Sequence, residues 1–502
     1  MAEDLTEAAR LAQGKNPAAA RSLIERLLDS NGNDADALTL LGLVEQRTGN
    51  IDNAIAAFAA ARESDPENPA RLVNHALALK AGRNFDAAVT ALGQALSIRP
   101  DHAATMANLG SCLIAADRAA EAEPVLRRAV QIAPGHAAAW NNLGVALSRT
   151  RRYDDAILAY QRALEAQPDF PEAQLNLTDG FVALQRPAEA ATIAKQVLAR
   201  YPGHPRAANQ LGSIYESQGR LDQAVMIWRD ALHHGIHHPI GVNLARALIV
   251  KGDFQAALDL VDTLLAALPS STTPLALKAA ALDRLGRTDE LASLCGLDRF
   301  VAQIEVAPPE GFATLDEFHM ALGRELRSHA SLTFEPEGLV TKKGRQSGDL
   351  AEANTPALAA MSMIAETAME GFLDNLEAQD SSHPFVRAKP KAWSLTLWGT
   401  ILDPGGAVEP HIHAPNWLSG VYYPGFSRSG ENPDEGAFAI GTLPQTLGGG
   451  GTTRIIHPRS GLMILFPSFL WHGTLPFGGD QQRISFAFDA VPEDVGRAHK
   501  LL

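Results

Sequence analysis

The sequence predicts a multidomain protein, with an all-α array of paired helices over residues 1–300 and a β-rich domain over 301–502. Three observations predict it. Alanine recurs with a spacing of 34 residues through the first half of the chain. That period stops after Phe300. From about Ala392, short runs rich in aromatic and β-branched residues take over, separated by Gly, Pro and Asn clusters. At 502 residues the chain is also too long for one ordinary domain.

The period comes first because it fixes the architecture of everything before Phe300. Ala20, Ala54, Ala88, Ala122, Ala156, Ala190 and Ala224 keep the 34-residue step, and Ala257 follows after 33. Pro66, Pro100, Pro134, Pro168 and Pro202 run on the same clock, and Pro269 rejoins it. Small residues precede the alanines by twelve positions at Gly42, Ala76, Gly110, Gly144, Gly212 and Ala245. Each unit reads as two amphipathic helices and a short turn. In the unit Ala137 to Phe170, the residues Trp140, Leu143, Leu147, Ala156, Tyr160 and Ala163 supply the apolar and small positions of a helix pair. The proline ends the second helix, because it lacks an N–H and clashes with the preceding turn. Eight such units are expected from about residue 1 to 271, with a degenerate pair around Leu275 to Leu294 capping the array.

This segment resembles the tetratricopeptide repeat family; Trp140, Leu143, Gly144, Ala156, Tyr160, Ala163 and Pro168 match its signature. One register position in the first helix of successive units carries an amide: Asn74, Asn108, Asn142, Asn176, Gln210 and Asn243. Helix interiors disfavour asparagine, so the series asks for a reason. The resemblance places this position in the concave groove and implies an amide ladder like that of the O-GlcNAc transferases, which grips a peptide backbone. An amide can donate and accept at once, which suits an extended chain of any sequence. The expected partner is therefore a peptide or protein in the groove. The exposed surface of a repeat array also leaves room for self-association.

Composition narrows the rest. The apolar fraction of 46% with 20% charged residues is that of a soluble globular protein. A net charge of −14, with no run of Lys or Arg, argues against nucleic acid or an anionic membrane as partner. Two distant cysteines, Cys112 and Cys295, make a disulfide framework or thiolate metal site a poor expectation. The N-terminus lacks the basic-then-apolar order of a signal peptide, so a cytoplasmic location is expected.

Beyond Phe300 a helix is expected within the stretch from Val301 to Leu326, and another at Thr355 to Leu376. Strand-like runs follow at 393–402, 417–424, 436–442, 461–467 and 483–491. Short strands at this spacing point to a sandwich, jelly roll or barrel. Into this pattern fall His411 and His413, one residue apart, and His472 about sixty residues on. Side chains two apart near a strand end can point the same way, and a third can join them from a neighbouring strand. Three ligands on one face of a metal leave positions open for a bidentate co-substrate and dioxygen. Arg483 follows His472 by eleven positions, and its charged fork matches a carboxylate in two bonds.

The stretch from about Trp393 to Asp489 resembles the 2-oxoglutarate/Fe(II) oxygenase family whose elements appear here as HIHAPNWLSGVYY and GLMILFPSFLWHGTLPFGGDQQRIS. The resemblance implies a double-stranded β-helix (jelly roll) with flanking helices, and Fe(II), 2-oxoglutarate and O2 as cofactor and co-substrates. It makes His411 and His472 metal ligands, and it has Arg483 bind the far carboxylate of 2-oxoglutarate. Tyr422 or Tyr423 would assist, only one of them facing inward, and Ser485 stands on the same face as Arg483. The most widespread form of the superfamily has a carboxylate where this chain has His413, so His413 is a less secure ligand. Glu409 is the reserve, and His457 is read as structural. A halogenase site has a small residue at position 413, and an imidazole would fill that space; hydroxylation is therefore preferred to halogenation. The expected activity is a dioxygenase hydroxylating a peptide or protein recruited by the repeats. The alternatives are a small-molecule oxygenase docked to a complex by its repeats, and a non-catalytic repeat scaffold.

Overall fold

The computed structural model describes residues 2–14, 16–336, 338–376, 382–426 and 432–493. By its contacts the chain divides into two compact units, 1–227 and 228–502. No helix among the described residues is long and apolar enough to cross a membrane.

The first unit is all helical. Its pairs alternate helices of about 13 and 14 residues, as in Ala137–Arg149 with Tyr153–Ala166 and Pro171–Ala183 with Pro187–Arg200. The clocked alanines Ala20, Ala54, Ala88, Ala122, Ala156 and Ala190 are all fully buried, which is why nothing larger keeps their register. The clocked glycines set how closely paired helices approach. A Cβ on Gly144 would lie 2.4 Å from the Tyr160 ring, and one on Gly110 the same distance from Leu126. The turn inside each pair closes through a left-handed residue at Gly49, Arg83, Asp117, Arg151, Gln185 and Gly219, again 34 apart. Several first helices start on a histidine cap: Nδ1 of His102, His136 and His204 accepts the backbone N–H three residues on.

The second unit begins with helices as well. The pairs His238–Lys251 with Phe254–Ala267 and Thr273–Arg284 with Thr288–Cys295 precede the sheet. Ten strands follow among the described residues: β1 Ala302–Glu305, β2 Thr333–Phe334, β3 Thr341–Gln346, β4 Trp393–His411, β5 Leu418–Gly425, β6 Phe438–Ile440, β7 Arg454–Ile456, β8 Leu462–Pro467, β9 His472–Thr474 and β10 Arg483–Pro492. All pairings are antiparallel, in the order β1-β8-β5-β10-β4-β9-β6-β7, with β3 laid along β4. The result is an antiparallel, jelly-roll-like domain with flanking helices.

Two features depart from the strand pattern read from sequence. Ala302–Glu305 is an edge strand paired to β8, where the sequence promised only a helix further on, at Leu315–Ser328. And β4 does not stop at the Pro404–Gly406 cluster. It continues to His411 because Thr341 and Lys342 of β3 pair with Val408 and Ala407, with a register shift absorbing the turn residues. This extension delivers His411 to its place. The helix Leu315–Ser328 covers one face of the sheet, its Leu326 filling the room left by Gly399. Its Phe318 and His319 lie against Tyr422.

The helices of this unit are tied to the sheet domain by polar contacts. Trp471 Nε1 donates to Ala276 O at 3.0 Å, Arg284 donates to Leu447 O at 2.8 Å, and Arg454 donates to Leu297 O at 2.9 Å.

Candidate metal centre

His411 ends β4 and His472 begins β9, and the two are direct cross-strand partners. His413 follows two residues beyond the end of β4, its backbone N–H held by Ser468 O at 3.0 Å. The ring centroids are 4.8 Å apart for His411–His413, 4.4 Å for His411–His472 and 4.7 Å for His413–His472. One nitrogen from each ring lies within 4.8 Å of the others. No other cluster of three such side chains occurs among the described residues.

The hydrogen-bond network assigns the proton on every ring. His411 Nδ1 faces Glu409 O at 2.8 Å, and His472 Nδ1 faces Leu470 O at 2.8 Å. His413 Nδ1 faces the Asp489 carboxylate at 2.8 Å. Each partner is an acceptor, so each Nδ1 is the donor, and Nε2 is the nitrogen that a neutral ring offers to a metal. The Nε2 atoms of His411 and His413 sit 2.8 Å apart. Two ring nitrogens that close share either a proton or a metal ion. Imidazole nitrogens at about 2.1 Å from one ion and at right angles are roughly 3.0 Å apart, so the donor set fits a divalent metal. Burial, then the neighbouring His411 and His413, holds the His472 imidazole well below its ordinary pKa. It is therefore kept neutral, the form that binds metal.

The triad opens on a cavity of about 410 Å³, lined also by Trp398, Tyr423, Phe466 and Ser485. Arg483 is 1% exposed. Its Nε donates to Gly436 O at 3.1 Å, while Nη2 has no partner among the described residues. The guanidinium carbon lies 4.9 Å from the Tyr423 ring centroid, and the Tyr423 hydroxyl is likewise buried without a partner. Burial presses the Arg483 pKa downward against the opposing pull of Tyr423, yet a guanidinium remains charged. A buried guanidinium with an unanswered Nη2, beside an unanswered hydroxyl, calls for an anion that can accept from both.

The sequence-derived candidates sort cleanly. His411, His413 and His472 are brought together, and Tyr423 and Ser485 share their cavity. Tyr422 is turned away. Its hydroxyl meets His319 Nε2 at 2.5 Å on the helix-covered face, which corrects its place as a cofactor-binding candidate. Glu409 is exposed, and only its backbone serves the site. His457 pairs with Asp434 at 3.1 Å outside the triad. The groove amides are partly committed within the array. Asn142 Nδ2 donates to Ala107 O at 3.1 Å, Asn176 Nδ2 to Asn141 Oδ1 at 2.8 Å, and Gln210 Nε2 to Leu175 O at 2.9 Å. Asn74 and Asn108 form no bond of this kind among the described residues. One part of the site was missed. Asp489, fully buried on β10, holds His413, and the only signal for it is the alternation from Arg483 that puts an acid on the inner face of an apolar strand.

Residues 396–489 match the family model described as "Putative 2OG-Fe(II) oxygenase". Residues 101–169, and 9–69 with 175–232, match tetratricopeptide repeat models. The chain carries tetratricopeptide repeats and a C-terminal 2OG-Fe(II) oxygenase-family domain. The oxygenase-family match spans all three histidines and Arg483, and it ends on Asp489. Among solved structures, the chain is similar to a tetratricopeptide repeat protein from Parabacteroides merdae. That match has 15% identity and a TM-score of 0.42, and it covers 47% of this chain and 93% of the other. It is also similar to PilF of Pseudomonas aeruginosa, with 19% identity and a TM-score of 0.36 over 41% of this chain and 93% of that one. A third is the Cut9–Hcn1 assembly of the APC/C, with 17% identity and a TM-score of 0.41 over 48% of each chain. No curated protein sequence matches the chain.

Proposed function

We propose that this chain is an Fe(II)- and 2-oxoglutarate-dependent dioxygenase that hydroxylates a peptide or protein presented by its repeats. The observation that carries the reading is the clustering of three imidazoles near a buried guanidinium whose Nη2 has no partner among the described residues. A dication completes the first half and a dicarboxylate the second. His411, His413 and His472 would hold the iron, and Arg483, with Tyr423 and Ser485, the far carboxylate of 2-oxoglutarate. When bound, they supply an oxidation in which C–H becomes C–OH as dioxygen and 2-oxoglutarate become succinate and carbon dioxide. The chain's own residues position and shield. Trp398, Phe438 and Phe466 lie with ring centroids 5.3, 5.5 and 4.6 Å from His413, His472 and His472 respectively, and pack against those two rings.

The repeats support a polypeptide substrate, because repeats of this family generally mediate contact between proteins, and a long groove exceeds the needs of a small metabolite. Asn74 and Asn108 are the amides left to meet an extended chain. The test is succinate formation with Fe(II) and 2-oxoglutarate, measured with and without a library of unstructured peptides. We expect peptide-stimulated turnover that falls severalfold in the Asn74→Ala/Asn108→Ala variant, with the unstimulated conversion of 2-oxoglutarate unchanged. Equal stimulation of variant and wild type would remove the groove from the account and favour a small-molecule substrate.

A further inference from the structure

A metal site of three neutral imidazoles has no ligand charge to offset a dication, yet a carboxylate stands one bond away. We propose that Asp489 is the positioning residue of this centre: it fixes the tautomer of His413 and supplies, through that ring, the negative charge the ligand set lacks. The inference rests on the metal-binding reading above.

Four observations carry it. Asp489 is fully buried, with Oδ1 2.8 Å from His413 Nδ1. The carboxylate is held by further donors, Ser419 Oγ at 2.6 Å on the same oxygen and Asn416 Nδ2 at 2.5 Å on the other. Both carboxylate oxygens therefore accept hydrogen bonds, which fixes the orientation of the group. Ser419 is in turn 2.8 Å from Ser468 Oγ, and Ser468 O takes the His413 backbone N–H, so the ring is fixed at both ends by one network. Finally, Arg483, Ser485, Ala487 and Asp489 share one face of β10, and Ser485 and Ala487 line the cavity. A single strand thus anchors the candidate co-substrate carboxylate at one end and a metal ligand at the other. His411 and His472 differ, since their Nδ1 atoms rest on neutral backbone carbonyls. At His413, by contrast, Nδ1 faces the Asp489 carboxylate. A carboxylate bonded to a ligating imidazole raises its basicity and fixes its lone pair.

The experiment measures anaerobic Fe(II) dissociation constants by competition with a chromogenic chelator, and the visible spectrum of the Co(II) form. Wild type, Asp489→Asn, His413→Asp and the double variant are compared, with circular dichroism as the folding control. We expect Asp489→Asn to weaken Fe(II) binding about 10–100-fold and to shift the Co(II) bands. In the His413→Asp background, where the ligand brings its own charge, adding Asp489→Asn should leave affinity unchanged or tighten it. A folded Asp489→Asn protein with wild-type affinity and an unmoved Co(II) spectrum overturns the inference. So does a tenfold or greater loss on adding Asp489→Asn to His413→Asp, a comparison that stands even if the single variant does not fold. Wild type that binds no Fe(II) overturns the metal-binding reading itself.

Discussion

A buried imidazole is a titrating group with a direction, and several here point the same way. Burial lowers the pKa of His75, His238, His319 and His472 from the ordinary 6.5, most strongly for His472. The unfolded chain therefore binds more protons than the folded one once the pH drops below about 6.5, and stability falls with pH in that range. Thermal midpoints of metal-free protein should decline steadily from pH 7 to pH 5. A flat profile would contradict the burial assigned to these rings. Single residues were also where the sequence was most and least informative. The alternation of a strand foretold that only one of Tyr422 and Tyr423 would reach the cavity, though not which. For Asp489 the sequence offered only its alternation from Arg483, because its role depends on His413, 76 positions earlier.

At the scale of elements, the repeating helices were legible because each contact that defines them is local. Gly144 faces Tyr160 within one pair, and the same spacing recurs in the neighbouring units. That closeness makes a sharp prediction. A methyl group on Gly144 would meet a Tyr160 ring that is 2% exposed and has no room to retreat. Gly144→Ala should destabilise the first unit by about 1–3 kcal/mol, against a gain of under about 1 kcal/mol from helix propensity. A lower denaturation midpoint would bear this out, and an unchanged or raised one would contradict the packing. The amide ladder shows where local reading stops. Asn142 and Gln210 donate to carbonyls 35 residues back, so their substitution would cost stability as well as any groove function, by about 0.5–1.5 kcal/mol each. The strands were less legible than the helices. β4 runs through Pro404, Gly405 and Gly406 because β3 pairs with it, a long-range contact that no local propensity encodes.

At the scale of the whole molecule, two kinds of order sit on one chain. One is periodic and reads directly from spacing. The other gathers His411, His472, Arg483 and Asp489 from three strands and His413 from just beyond one of them. The order His-x-His, then His, then Arg was visible in the sequence; the gathering of the three rings was not, since it follows from the β4–β9 register. The helices 238–295 fall in the same compact unit as the sheet, and Trp471, next to His472, is bonded to Ala276. The central claim is that the triad holds Fe(II) and that Arg483 holds 2-oxoglutarate beside it. Anaerobic titration of the Fe(II)-loaded protein with 2-oxoglutarate, following the visible charge-transfer band of the chelate, tests both halves together. The account predicts a band in wild type, its loss in His472→Ala, and a higher 2-oxoglutarate requirement in Arg483→Ala. A wild-type protein that binds no iron and gives no band would contradict it.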